Sequence, residues 1–382
     1  DDFLNENHDG IKSEMAPYLY DAAFQKYVLE KAFPSFTVTA YLMLADKREK
    51  ASIDGLNQRF FLEKDERGRC HAIATDTSDT GNHILSLVNV DQAAHIIFNT
   101  NESIEGEILS FENYIFHLAD AYEADRKIDA AIGAHCAQCE FRTTTEDEKQ
   151  GKKSGFKECW ENQTMLKDED FKEQLIFELW GFRRKQECIE KGILFLKDIP
   201  ESLLGEQKTK EGEGLGRIER QALQIQKVRD NDCEPYADRE GLRKEMASWK
   251  FPLHMIDFET SQVAIPFNKG RHPYEATAFQ FSHHVIYEDG SFEHKGEYLS
   301  TVRGSFPNYD FVRALKKELE KDKGSVFRYA AHENTILCAI HEQLSDDKSV
   351  PDRDELKLFI ESVTHKKDRK GASLWKGERD MI

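Results

Sequence analysis

The run FPLHMIDFET, residues 251–260, is a nearly unbroken apolar stretch that carries two acids, Asp257 and Glu259, two positions apart. Side chains two apart on a strand point to the same side, so a central strand here sets two carboxylates together. Negative charge gathered at one spot needs a positive partner. A pair of divalent metal ions meets that need, and two-metal sites are a common chemistry of enzymes that cut phosphodiesters. The plainer reading is a strand end whose acids meet solvent or an arginine.

The residues beyond Glu259 narrow the choice. After the Gly/Pro-rich connection AIPFNKGRHPYE, the segment ATAFQFSHHVIYED alternates apolar and polar residues through Phe279, Phe281 and His283, then Val285 and Tyr287. The turn EDGS leads into HKGEYLS, and two strands joined by Asp-Gly read as a hairpin. NYDFVRALKKELEKDKG has the helical period, with Phe311, Leu315 and Leu319 on one stripe and Gly324 as its stop. SVFRYAAH reads as a further strand and ENTILCAIHEQL as a second helix. Strand, strand, strand, helix, strand, helix is the opening order of the ribonuclease H-like fold. The segment resembles a DnaQ-like 3'-5' exonuclease domain of the DEDD type. That resemblance implies two Mg2+ or Mn2+ ions held by Asp257, Glu259 and Glu333, the last standing in the second motif's position, where aspartate is usual. The third motif, with the last acid and a Tyr or His base, is expected in a later helix. The sequence stops at Ile382, so that motif is either missing or represented only by Asp380. A two-metal clamp lacking a ligand binds its second ion weakly, which weighs against activity.

A second constellation is HCAQCEFR followed by SGFKECW. Cys136 and Cys139 form a CxxC pair, and Cys159 lies twenty residues on, beyond TTTEDEKQGKKSG. The pattern fits a metal clamp, with buried thiols as the alternative. Zinc wants four ligands, and His135 is the local fourth. An iron-sulfur cluster wants four thiolates. The set is similar to that of RecB-like nucleases carrying a 4Fe-4S cluster, which have one cysteine before the nuclease core and three after it. The resemblance implies a cluster on Cys136, Cys139 and Cys159 with its fourth ligand upstream of residue 1, and Zn2+ as the alternative. Cys70, Cys188, Cys233 and Cys338 have no motif around them.

The segment IKSEMAPYLYDAAFQKYVLEKAF reads as a helix with Tyr20, Phe24, Tyr27 and Val28 on one face. Asp21 and Gln25 sit together at i, i+4 on a neighbouring face. A strand, SFTVTAYLMLAD, comes next. This is similar to the final part of a PD-(D/E)xK nuclease core, a lysine at a strand end and then a helix with a Q-x-x-x-Y-like motif. In that likeness Lys12 stabilises developing charge beside an acid-bound metal, while Asp21 and Gln25 orient the site. The residue two before Lys12 is Gly10 rather than an acid, and Asp9 is one position out of register. A lysine ahead of an amphipathic helix is otherwise a plain surface residue.

Taken together, IKS…YDAAFQKYVLE, GAHCAQCEFR…SGFKECW, FELWGFRRK and HMIDFET…IPFNKGRHPYEATAFQFSHH resemble a bacterial family catalogued as domain of unknown function 2779. In it a RecB-like, restriction-endonuclease-type module with an iron-sulfur cysteine set precedes a DnaQ-like module. The expected fold is therefore α/β, in three parts. Residues 1–165 hold the RecB-like remnant and the cysteine module. Residues 166–248 form a helical connector: DFKEQLIFELWGFRRKQECIEKG, the flexible EQKTKEGEGLG, then RIERQALQIQKVRD. Residues 249–382 form the ribonuclease H-like domain.

Composition sets bounds. With 382 residues, 39% hydrophobic and 32% charged, the chain is long enough for two domains and a connector and reads as soluble, with no run near the length of a membrane span. Seven cysteines, partly in CxxC, suit a reducing cytoplasm. A net charge of −18 argues against a general nucleic-acid coat protein, because phosphate affinity comes from Lys and Arg. A nuclease stays open, since metals neutralise carboxylate sites and a groove can be locally basic, with Lys47–Lys50, Phe182–Lys185 and Lys366–Lys370 as candidates. Such acidity also suits a subunit whose grip on nucleic acid comes partly from a protein partner. The leading expectation is a metal-dependent nuclease acting on DNA, in phage defence or repair. A catalytically dead scaffold for nucleic acid or proteins is the alternative, and an RNA-directed exonuclease a third.

Overall fold

The computed structural model describes residues 3–5, 7, 10–206 and 214–382. Asp9 and most of the Lys/Glu/Gly stretch, 207–213, lie outside the described residues. In chain order the elements are α1 (Ala16–Ala32), β1 (Tyr41–Ala45), β2 (Phe60–Lys64), β3 (Cys70–Ala74), β4 (Leu85–Asn89), α2 (Asp91–Phe98), β5 (Asn101–Ile104), β6 (Glu107–Ser110) and α3 (Phe111–Glu123). Then come α4 (Thr145–Lys149), α5 (Gly155–Gln163), α6 (Lys185–Glu190), α7 (Arg217–Arg229) and α8 (Arg239–Met246). The last part holds β7 (Leu253–Ser261), β8 (Thr277–Ile286), β9 (Phe292–Leu299), α9 (Asn308–Leu319), β10 (Val326–Phe327), α10 (His332–Asp346), α11 (Arg353–Val363), β11 (His365–Lys367) and β12 (Ser373–Lys376). This is a mixed α/β chain with small sheets. It divides into two compact units, residues 1–38 with 91–245, and residues 39–90 with 246–382.

In the first unit, α1 turns Leu19 and Ala23 inward rather than the expected Tyr20/Phe24/Val28 face; Phe24 and Val28 are exposed. α1 packs beside α2, and polar side chains of α1 reach out to acids. Lys26 Nζ meets Asp91 Oδ1 at 2.7 Å, and the Tyr27 hydroxyl donates to Glu112 at 2.8 Å. The expected helical segment DFKEQLIFELWGFRRKQECIEKG is instead two single 3-10 turns, Asp170–Lys172 and Ile176–Glu178, followed by the six-residue α6. Ile176, Leu179 and Phe182 recur every three residues, the spacing of a tight turn, and pack with buried Trp160, Leu196 and Ile225. RIERQALQIQKVR forms α7, as the period predicts.

In the second unit the sheet order is β10-β7-β8-β9, with β7, β8 and β9 antiparallel in turn and β10 parallel to β7. Ile382 adds to the outer edge of β10: its N–H donates to Val326 O at 2.9 Å, and its carbonyl accepts from Arg328 N–H at 3.2 Å. Of SFTVTAYLMLAD only Tyr41–Ala45 is a strand, paired with β4. Residues 51–55 instead secure the Gly/Pro-rich connection after β7. Gly270 N–H donates to Ala51 O, Gly55 N–H to Phe267 O and Lys269 N–H to Asp54 Oδ1, each at 2.7 Å.

The core of this unit is built on alternation. Ile256 and Phe258 of β7, and Phe281 of β8, are buried against α9, α10 and α11, and Val285 of β8 is buried as well. Phe311 of α9 is the hub: Phe258 and Phe281 meet its ring edge-on, with centroids 4.8 and 5.4 Å away, and Tyr298 of β9 does so at 5.9 Å. Leu315 and Leu319 complete the predicted stripe. Gly324 is not a helix stop, since α9 ends at Leu319; a Cβ there would stand 1.8 Å from Pro252 O, so glycine is demanded by close backbone approach. The alternation slips at a bulge opposite Glu259/Thr260, which leaves Phe279 half-buried and Ala278 inward. Phe311→Ala removes the ring that three strands share, and a loss of about 3–5 kcal/mol in urea unfolding is expected.

Candidate metal site on the central strand

The alternation that sends Ile256 and Phe258 into the core leaves Asp257 and Glu259 exposed together on the opposite face of β7. Their cross-strand partners are the neutral Ser282 and Gln280. The expected pair is thus on one face of a strand flanked on both sides by others. Beyond Glu259 the bulge re-aims the strand, and Thr260 Oγ1 comes within 3.0 Å of His332 Nε2 at the start of α10.

Glu333 is the next residue. It lies in the first turn of α10, where the helix dipole favours an anion, and it points inward with Ile336, Leu337 and Ile340 at the helical period. It is 3% exposed, and its Oε2 is buried with no hydrogen-bond partner. A charged oxygen in that state costs the fold about 1–3 kcal/mol or more unless a cation or donor reaches it. The orphaned oxygen is one that a cation or a donor would satisfy, and the helix end that carries it is tied by His332 to the residue after Glu259. Among the described residues, no three His, Cys, Asp or Glu side chains converge into a ready-made cage.

Asp380 is already engaged. Its Oδ1 lies 2.7 Å from His365 Nδ1, and the backbone of His365 is bracketed by the Asn334 side chain through two 3.0 Å hydrogen bonds. The pair secures the end of α11 to α10.

Pattern reasoning missed the cavity that opens from Thr260 and Ser261. It measures about 760 Å³ and is lined also by Asn268, Phe279, Ser300 and Arg303. Its walls come from five separated segments, so no local motif marks it.

In the first unit, Lys12 follows a single bridged pair, Leu4 with Ile11, and its N–H donates to Phe3 O at 2.9 Å. Asp21 and Gln25 are exposed on α1 and bonded to each other at 3.0 Å, as their spacing predicts. Cys136, Cys139 and Cys159 come together with His135 on the wall of one cavity of about 500 Å³, lined mostly by apolar side chains that include Phe156 and Trp160. Cys136 Sγ accepts from Gly133 N–H at 3.4 Å and lies 3.7 Å from His135 Nε2. All seven cysteines are free thiols. Among the described residues these thiols and the imidazole share a cavity wall without converging into a metal-binding group.

Residues 254–365 match the family model described as Domain of unknown function (DUF2779). The match covers less than half of the 382 residues; it contains Asp257, Glu259 and Glu333 and leaves out α1 and the cysteine cavity. No curated protein and no solved structure matches the chain.

Glu333→Gln is expected to leave the metal-free protein at least as stable as wild type, because it removes a buried charge with an unmet oxygen. Addition of Mn2+ should raise the melting temperature of wild type more than that of the variant. A variant that melts well below wild type without metal would show that the carboxylate has a protein partner.

Proposed function

We propose that the protein is a metal-dependent nuclease that hydrolyses phosphodiester bonds of DNA, with its reacting centre at Asp257, Glu259 and Glu333. The observation that carries this reading is the unmet, buried Oε2 of Glu333, tied through His332 and Thr260 to the strand that bears the other two acids. The order β9-β8-β7-β10, with the acids on a central strand, is the arrangement expected of a ribonuclease H-like, DnaQ-type module.

Two Mg2+ or Mn2+ ions would be held by these three carboxylates and supply an activated water and a steadied leaving oxygen. The chain's own contribution is placement. Asp257 and Glu259 project from a strand paired with β8 along its length and with β10 at its start, so their spacing is set by the sheet. The contact between Thr260 and His332 fixes the helix end that carries Glu333. The cavity beyond Thr260 offers hydroxyls, the Arg303 guanidinium and the Phe279 ring, groups suited to the phosphate and base of a nucleotide.

In the same reading residues 1–165 are a RecB-like module. Cys136, Cys139 and Cys159 hold a 4Fe-4S cluster that clamps the module, with zinc on the same thiols and His135 as the alternative, and Lys12, Asp21 and Gln25 belong to a second nuclease centre. The setting is phage defence or DNA repair, in concert with a protein partner. No helix among the described residues is long and apolar enough to cross a membrane.

The test is degradation of end-labelled single- and double-stranded DNA and RNA with Mn2+ by wild type and by the Asp257→Ala, Glu259→Ala double variant. Stepwise degradation that drops at least a hundredfold in the variant supports the proposal. RNA cleavage alone redirects it to RNA, and no cleavage by metal-loaded wild type moves the reading to a binding scaffold. For the cysteines, anaerobic purification is expected to give iron and sulfide with wild type and little of either with Cys139→Ser; zinc in their place would favour the alternative.

A further inference from the structure

Phe279 is an aromatic that the core gives up. Alternation along β8 would set it inward with Phe281, but the bulge opposite Glu259/Thr260 turns Ala278 inward and leaves Phe279 half-buried. Bulges beside functional sites serve to re-aim side chains. Phe279 here lines the cavity of about 760 Å³ that begins at Thr260, the residue after Glu259.

Asn268 lines the same cavity and is 7% exposed. Its side-chain amide holds two donors and an acceptor, and among the described residues it makes no hydrogen bond. Folds keep a buried polar group in that state where a ligand or a water supplies the missing bonds. The backbone on either side of it is tied down. Phe267 O accepts from Gly55 N–H, and Lys269 N–H donates to Asp54 Oδ1, each at 2.7 Å. The amide is therefore held out by a clamped loop, which lowers the cost of ordering it around a ligand.

Charge on the cavity wall is sparse. Among the described residues that line it, Arg303 is the one cation and Asp54 the one acid, and the Asp54 carboxylate is already met by Lys269 N–H. Arg303 forms no ion pair with a described acid. Ser261, Thr277 and Ser300 add hydroxyls.

Each uncommitted group has a counterpart on a nucleotide. An amide sets a donor beside an acceptor, the arrangement that pairs with a base edge presenting the complementary two. The Phe279 ring suits the flat face of the base. The Arg303 fork suits two phosphate oxygens. The volume falls within the range of small-ligand sites, about 300–1,000 Å³.

We propose that the Thr260 cavity is a base-selective nucleotide pocket, with Asn268 on the edge of the base, Phe279 on its face and Arg303 on the phosphate. The choice of a nucleotide rests on the nuclease reading, whereas the three contacts involve none of Asp257, Glu259 and Glu333. The occupant is one nucleotide, free or at the end of a strand.

The full chain carrying Asp257→Ala and Glu259→Ala, without metal, takes the proposed hydrolysis out of the measurement. Calorimetry with the four deoxynucleoside monophosphates is expected to show saturable binding, with one base held at least tenfold tighter than the poorest. Deoxyribose 5-phosphate, which lacks a base, is expected to bind at least tenfold more weakly than the favoured nucleotide. Asn268→Ala in this background is expected to erase the preference among bases and leave deoxyribose 5-phosphate unchanged, while Arg303→Ala weakens every phosphate ligand. A single-stranded oligonucleotide ending in the favoured base that binds tenfold tighter than its monophosphate assigns the pocket to a strand end, and the reverse order assigns it to a free nucleotide. No saturable binding, equal binding of the four bases, or a preference that survives Asn268→Ala would overturn the pocket. The middle outcome does so even if the Asn268 variant fails to fold. None of these results bears on strand cleavage by wild type, so the pocket and the nuclease reading fail separately.

Discussion

Strand β7 is the element on which the second unit depends, and its alternation is the governing constraint. Because side chains of a strand face opposite ways in turn, one run of residues serves two purposes. Ile256 and Phe258 hold the helices through Phe311, while Asp257 and Glu259 are left on the other face with neutral neighbours. A one-residue slip would bury both acids and expose both apolar anchors. The hydrophobic core therefore sets the register of the acids.

Around that strand the polar groups are arranged at unequal cost. Asn308 and Gln343 are buried but fully employed: Asn308 accepts from Ala278 N–H at 2.7 Å and donates to Gln343 at 2.6 Å, and Gln343 donates to Ala276 O at 2.9 Å. This network joins α9 and α10 to the start of β8. Glu333 and the pair His254/His283 are different, since each leaves an atom unmet. Natural folds tolerate such groups where a ligand or a proton supplies what is lacking. That is the physical reason for reading Glu333 as a cation site.

Much of this was legible in the amino-acid order. The DxE pair on a buried strand, the hairpin through Asp289-Gly290 and the Phe311/Leu315/Leu319 stripe all come from short-range periodicity. The gathering of Cys136, Cys139 and Cys159 came from spacing. The misreadings arose where composition fits more than one local structure. FELWGFRR has apolar residues dense enough for a helix, but their spacing of three suits tight turns, with Gly181 at φ 62° closing one of them. In α1 the large aromatics suggested the inner face, yet close helix packing favours the small Ala23.

Strand and helix periods act over a few residues, so the amino-acid order alone was enough to settle which positions alternate, which turn and which carry charge. What those positions meet was settled in three dimensions. Residues 51–55 brace a loop more than two hundred positions away, the Thr260 cavity draws on five segments, Asp380 is taken by His365, and two histidines from neighbouring strands line up between two acids. Such contacts depend on chain closure over long distances, where the partner is chosen by shape and by the need to satisfy buried polar atoms, and no local period records that choice.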